Sequence, residues 1–270
     1  MLELYHNGAS VCSAKVRIGL AEKGLDWKSH HIDLPSGEQF SPEYLKINRN
    51  AVVPTLIHDG HVIAESSIIL EYIDEISSNT PLMPSKRHLQ YETKLWLHRC
   101  LDIHGAINTM TFSTVNRDKV LASKTSEQIA ASIAQMPSPK AAQKRADLFE
   151  NGLDSIYVTN DFEVLRILFD DMHEALQKSK WMLGDDYSLA DTALLSYIDR
   201  LDRLGMSGMW EDRTPTVGKW LAASRARASY AAAIDKFIPD EAAISMREAG
   251  DATWPKVKTR WDAFLNSRAK

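Results

Sequence analysis

Three side chains near the start of the chain could do chemistry. Ser10, Cys12 and Ser13 lie within HNGASVCSAKVRIGL (His6–Leu20), where a short apolar stretch passes into a helix. Hydroxyls at such a place act as helix caps. A thiol on a first helical turn is either compact filler or a nucleophile. A second pair, Glu65 and Ser66 in AESSIILEYI, opens another helix, where free N–H groups and the helix dipole favour an anion. Pro54 in NAVVPTL and Gln39 in GEQF complete the candidates.

The elements that must position them follow from periodicity. LELYH (Leu2–His6) alternates around Leu2, Leu4 and His6 and reads as a strand. From Val11 to Lys23, Val16, Leu20 and Lys23 form a helical stripe with Ile18 and Ala21 beside it, and Gly24 stands where a C′ glycine belongs. Trp27–Leu34 reads as a second strand. Ser41 and Pro42 then open a short helix. Two short apolar runs flank Asp59-Gly60, a hairpin signal, and Ser66–Ile76 has helical spacing. The order β-α-β-α-β-β-α implies a small mixed sheet with helices on its faces, the thioredoxin-like arrangement.

Pro81 and Pro84 mark Ser77–Arg87 as a linker. Everything beyond reads helical, with a break at Pro137 and Pro139. The expected organisation is an α/β thioredoxin-like N-terminal domain over residues 1–78, a linker over 79–87 and an all-α C-terminal domain over 88–270.

Composition excludes several classes. The 270 residues are 44% hydrophobic and 25% charged with a net charge of −4, so a globular chain is expected and no basic nucleic-acid surface is implied. No apolar run reaches the ~18–20 residues of a membrane helix, and MLELYHN lacks the pattern of a secretory signal. With only Cys12 and Cys100, a reduced, cytoplasmic compartment is expected rather than a disulfide scaffold. There is no H-E-x-x-H, no C-x-x-C and no Gly-rich phosphate loop, so no metal site is signalled.

At this point the chain resembles the cytosolic glutathione transferases over nearly its whole length. SVCSAKVRIGL is similar to the Ser-x-Cys motif of the zeta class and of bacterial hydroquinone dehalogenases. GEQFSPEYLKIN also looks zeta-like. NAVVPTL carries the proline that this fold keeps cis, AESSIILEYI the Glu-Ser pair, and DDYSLADTAL the capped buried helix of the second domain. The segment over 123–160 is longer than in compact zeta enzymes and resembles an insertion of the bacterial β-etherase and dehalogenase branches.

The resemblance implies glutathione as co-substrate, a homodimer, and attack of the glutathione thiolate on a hydrophobic, aromatic electrophile. Lowering a thiol pKa from about 8.5 to about 6.5 requires about 2.7 kcal/mol. A helix N-terminus supplies about 0.3–1 kcal/mol, rarely ~2, and a charged hydrogen bond about 1.5–3 kcal/mol. One hydroxyl donor and one helix end together suffice. By resemblance Ser10 is that donor, with Ser13 as its backup. Cys12 either resolves a glutathione adduct by thiol–disulfide exchange or only tunes the site. The Val53 backbone before Pro54 pairs with the cysteinyl part of glutathione. Ser66 and Glu65 take the γ-glutamyl carboxylate and ammonium, and Gln39 takes the glycyl carboxylate. The electrophile pocket is expected to use the loop Asn7–Val11, Ala9 within it, and, from the helical domain, Met110 and Phe112, with the insertion around Pro137 and Pro139 as a lid. Ser188 and Asp191 read as a structural capping box, Trp96 and Trp210 as core. The rival readings are reductive ether or halide cleavage through Cys12 or a second glutathione, and a binding module on the same fold.

Overall fold

Strand β1 (Leu2–His6) buries Leu2, Leu4 and His6 and leaves Glu3 and Tyr5 half-buried, as a period of two requires. Helix α1 (Val11–Glu22) follows, capped by Ser10 and closed by Gly24 at φ 61°, where a side chain would be strained. Strand β2 (Trp27–His31) runs parallel to β1, Leu2 opposite Trp27 and His6 opposite His31. In this computed structural model, which describes residues 1–136 and 138–268, β2 is shorter than the Trp27–Leu34 expected from sequence. The Ser36 hydroxyl donates to Asp33 O at 2.9 Å and Gly37 N–H to Leu34 O at 3.1 Å, so the chain turns instead of extending. A one-turn 3-10 helix at Glu38–Phe40 follows, unanticipated from the sequence.

Helix α2 (Pro42–Ile47) starts behind Ser41, whose hydroxyl accepts from Tyr44 N–H at 3.2 Å. Strands β3 (Thr55–His58) and β4 (His61–Ile63) join at Asp59-Gly60, with φ 49° and 84°, the double positive φ of a tight hairpin. Helix α3 (Ser66–Glu75) completes the α/β part. The sheet order is β2-β1-β3-β4, with β3 antiparallel to both neighbours. Its core gathers Leu2, Leu4, Val16, Leu20, Leu56, Ile69 and Ile73, each large apolar side chain contributing about 1.5–3 kcal/mol on full burial.

The remainder is helical: α4 (Arg87–Thr111), a π-helical turn (Phe112–Asn116), α5 (Arg117–Ser123), α6 (Ser126–Ala134), α7 (Pro139–Asn151), α8 (Ile156–Lys178), α9 (Leu189–Arg203), α10 (Thr216–Arg225), α11 (Ala228–Ala233) and α12 (Asp240–Arg268). The architecture is thus a thioredoxin-like α/β part followed by helices. Pro137, one of the two prolines expected to break the pattern, lies outside the described residues; Pro139 is the first residue of α7.

The chain forms two compact units. One comprises Met1–Leu101, Glu174–Ile198 and Lys219–Pro239; the other comprises Asp102–His173, Asp199–Gly218 and Asp240–Lys270. The sheet lies in the first. There the buried Asp191 carboxylate accepts from Ser188 N–H and Oγ–H, from Met182 N–H and from Trp220 Nε1–H, so it fastens the start of α9 structurally. The core of the second unit is aromatic: Trp261 meets Phe162 at 5.3 Å, and Phe169 meets Trp210 at 5.5 Å. Trp96 and Met110 are buried, as is Trp210.

Candidate active site

The loop between β1 and α1 is over-determined. Asn7 donates from Nδ2 to Ile32 O at 2.9 Å and accepts from Ala9 N–H on Oδ1 at 3.0 Å. Its carbonyl, and that of Gly8, both point at Arg17, accepting from NH1 and NH2 at 3.0 Å each. Arg17 is buried, donates from Nε to Ala233 O at 2.8 Å, and lies 4.3 Å above the Phe237 ring. All its acceptors are neutral. Burial pushes its guanidinium down to about 9, still protonated at neutral pH. A Cβ on Gly8 would stand 2.6 Å from the Phe237 carbonyl oxygen, so the close approach demands glycine.

This scaffold delivers Ser10 to the start of α1. Its Oγ accepts from Ser13 N–H at 3.2 Å, and its backbone is extended, at φ −74° and ψ 123°. Ser10 is therefore a genuine cap. A hydroxyl has two acceptor lone pairs and one proton, so capping leaves the Ser10 proton available. The cap and the thiolate donor are compatible roles of one side chain. Ser13 is fully buried, its Oγ accepting from Asn7 N–H at 3.3 Å, whereas Ser10 is half-buried and Ala9 exposed.

Cys12 is reduced and half-buried, with Sγ 3.8 Å from Tyr197 Oη. Burial, reinforced by the Cys12 and Cys100 thiols, holds the Tyr197 hydroxyl well above its ordinary range; burial likewise pushes the Cys100 thiol up. Lys15, buried on the same helix, donates to Ser67 Oγ at 3.1 Å and lies 5.3 Å from the Tyr197 ring centre.

The Val53–Pro54 bond is cis. The segment around it is held by two buried side chains: Tyr44 Oη donates to Val52 O at 2.7 Å, and Asn48 Nδ2 donates to Thr55 Oγ1 at 2.9 Å. Glu65 is exposed with φ 67° and ψ 111°, outside the regions that non-glycine residues favour. Such strain costs of order ~1–3 kcal/mol and clusters at ligand sites. Ser66 begins α3, half-buried. Gln39 has a buried amide oxygen with no partner among the described residues. Ala9, Ser10, Cys12, Ser13, Gln39, Val53, Pro54, Glu65 and Ser66 all belong to the unit that holds the sheet, whereas Met110 and Phe112, both buried, belong to the other. Among the described residues no group of three or more His, Cys, Asp or Glu could hold a metal ion, and no helix is long and apolar enough to cross a membrane.

Arg17 and Tyr197 carry the geometry yet were not singled out from the sequence, and Asn7 and Gly8 were read only as part of a pocket loop, not as the groups that fix it. The one available signal was Lys15 and Arg17 within a helix otherwise rich in apolar residues.

The unit that holds the sheet thus combines a thioredoxin-like sheet, a cis-proline before β3, a hydroxyl at the start of α1 and a strained residue at the start of α3. Residues 1–75 match the family described as Glutathione S-transferase, N-terminal domain. The chain carries that domain, and its fold is that of the glutathione transferases. It is 28% identical over 237 residues to protein LigF of Sphingobium sp. strain SYK-6, covering 84% of this chain and 90% of LigF. The crystal structure of that β-etherase aligns with a TM-score of 0.76 over 87% of this chain and 99% of LigF, at 27% identity. The tetrachloro-p-hydroquinone reductive dehalogenase of Sphingobium chlorophenolicum is 24% identical over 236 residues, 85% of this chain and 94% of that protein. A zeta-class glutathione S-transferase of Euphorbia esula is 44% identical over 87 residues, 32% of this chain and 39% of that protein.

Proposed function

We propose that this chain is a glutathione transferase whose activated thiolate attacks a hydrophobic aromatic electrophile. The observation that carries the reading is Ser10: its Oγ accepts from Ser13 N–H at 3.2 Å at the start of α1, leaving its proton to donate to a bound thiolate beside the positive helix end. Glutathione lies along the Val53 backbone, with Ser66 N–H and hydroxyl on the γ-glutamyl carboxylate, Glu65 on its ammonium and the Gln39 amide on the glycyl end. Arg17 is a positioning residue, since it fixes the Asn7 and Gly8 peptides that present Ser10. Residues 1–78 bind glutathione, and residues 88–270, with Met110 and Phe112, take the electrophile.

A second reading is favoured by Cys12, half-buried and 3.8 Å from Tyr197 Oη, and by likeness to a β-etherase and a reductive dehalogenase. There the Cys12 thiolate attacks the sulfur of an aryl–glutathione adduct. The carbon–sulfur bond breaks, the aryl carbon takes the electron pair and a proton, and a Cys12–glutathione disulfide forms. A second glutathione thiolate then releases oxidised glutathione and restores Cys12.

The protein works in the cytoplasm as a homodimer. Ile68 on α3 and Tyr91 and Leu95 on α4 expose apolar surface of the kind a second copy would cover; light scattering is expected to give about twice 30.4 kDa, and a monomer at micromolar concentration would remove this part. The catalytic reading is tested by retention on immobilised glutathione, followed by assay of a chloronitroarene, a β-aryl ether and a halogenated hydroquinone. Turnover of the first alone supports conjugation; turnover of the others with release of oxidised glutathione supports the second reading. No retention and no turnover would leave only a non-catalytic fold.

A further inference from the structure

The second unit contains a cation for which the reaction above has no use. Beyond Thr111 the chain enters the buried π-helical turn Phe112–Asn116, where the Thr114 hydroxyl donates to Met110 O at 2.7 Å; such turns often mark functional sites. Phe112 meets Phe149 of α7 edge to face, with centroids 4.9 Å apart. One turn earlier on α7, Arg145 lays its guanidinium over the Phe112 ring, Cζ 4.0 Å from the centroid.

The neighbouring cations have partners. Lys144 pairs with Asp161 at 2.8 Å, and Arg117 donates to Leu148 O and Phe149 O. Arg145 has no hydrogen-bond or carboxylate partner among the described residues, and burial alone lowers its pKa. Next to Phe112 in the chain, Ser113 is more than nine-tenths buried and its Oγ has no partner among the described residues.

A stacked guanidinium gains about 0.5–2 kcal/mol from the ring, while its N–H donors lie in its own plane and point past the ring edge. That fork is matched by a planar carboxylate, which takes two parallel charge-assisted bonds. We infer that Arg145, stacked on Phe112 beside Phe149 and Ser113, recognises the carboxylate of an aromatic acid, so that the preferred aromatic ligand of this unit carries an acid group. The inference rests on the reading of the chain as taking an aromatic electrophile and names the substrate class.

The test is calorimetric titration of the full chain, without glutathione, with 4-nitrobenzoate and its near-isosteric amide, 4-nitrobenzamide. The acid is expected to bind at least about tenfold tighter. The preference should fall to within about twofold in Arg145→Gln, and Arg145→Lys, a point charge without the fork, should fall between. Circular dichroism checks that the variants are folded, and the wild-type ratio stands even if they are not. Equal affinity for acid and amide, binding of neither, or a preference that survives in folded Arg145→Gln would overturn the inference. Glutathione turnover of a neutral chloronitroarene without any acid preference would remove this inference alone. Acid preference without any glutathione turnover would remove the transferase reading instead.

Discussion

Arg17 NH1 donates to His6 Nδ1 at 3.2 Å inside the sheet unit. Arg17 has only donors, so the imidazole is neutral, and its proton sits on Nε2, facing Ser29 Oγ at 2.8 Å. Burial and the adjacent guanidinium push the His6 pKa down from 6.5 to about 4. Between these values the unfolded chain binds a proton that the folded chain refuses. Stability is therefore lost as pH falls from 6.5 towards 4, at ~1.4 kcal/mol per unit and about 3 kcal/mol in all. The unfolding free energy from urea titration should drop between pH 7 and 4.5 by about 2–3 kcal/mol less in His6→Gln than in the wild type. Equal slopes would show that His6 titrates freely in the fold.

The cap at Ser10 and the proposed thiolate donor separate with two substitutions. Ser10→Ala removes both the cap and the proton, and should cost about 1 kcal/mol of stability. Ser10→Asp keeps a capping oxygen for Ser13 N–H but lacks the proton. It should melt near the wild type, yet raise the pKa of bound glutathione by more than about one unit, and further than alanine does, because it adds a like charge. Ultraviolet titration of bound thiolate reads this directly. Wild-type ionisation in the aspartate variant would place the donor elsewhere.

Strain at Glu65 predicts opposite movements of stability and binding. Glu65→Gly relieves the positive φ and should raise stability by about 1 kcal/mol net of glycine's entropy, while glutathione affinity falls. Ser66→Ala should weaken glutathione by about 1.5–3 kcal/mol. Calorimetry showing unchanged affinity in both would dismiss the assignment.

Gly8→Ala drives a methyl group into the Phe237 carbonyl. Backbone must move, at about 1–3 kcal/mol, and turnover should fall with it because Ser10 is two residues away. A variant with wild-type melting temperature and kcat would mean that this loop yields freely.

Cys12→Ser separates the two chemistries. Conjugation of an aryl halide should stay within a few-fold, with no adduct accumulating. A stoichiometric glutathione adduct on Cys12 in quenched wild-type enzyme, seen by mass spectrometry, would establish the exchange route instead.

The order β-α-β-α-β-β-α, the caps at Ser10 and Ser41 and the hairpin at Asp59-Gly60 were legible because each rests on local residue chemistry. The end of β2 was not: Ile32–Leu34 is apolar enough to extend, and only the side-chain turn around Asp33 stops it. Arg17 was missed for a different reason. A stripe along α1 suggests an outer polar face, but nine of its twelve residues are buried, Lys15 and Arg17 among them. The groups that accept from or cover Arg17, Ala233 O and the Phe237 ring, lie more than two hundred residues away in the chain, beyond the reach of periodicity.

Asp74 lies in the last turn of the helix that begins at Ser66, and its carboxylate gathers Lys23 Nζ at 2.8 Å, Leu82 N–H at 2.8 Å and Met83 N–H at 3.0 Å. Leu82 in turn accepts from Leu189 N–H at 2.9 Å. The proline-bearing stretch is thus fastened rather than slack. A protease cut there, or a fragment ended at residue 78, strips Asp74 of two of its three donors and takes the Thr80 carbonyl from Lys23. The stretch is therefore expected to resist limited digestion, and a fragment ended at residue 78 is expected to be less stable than the same residues in the full chain.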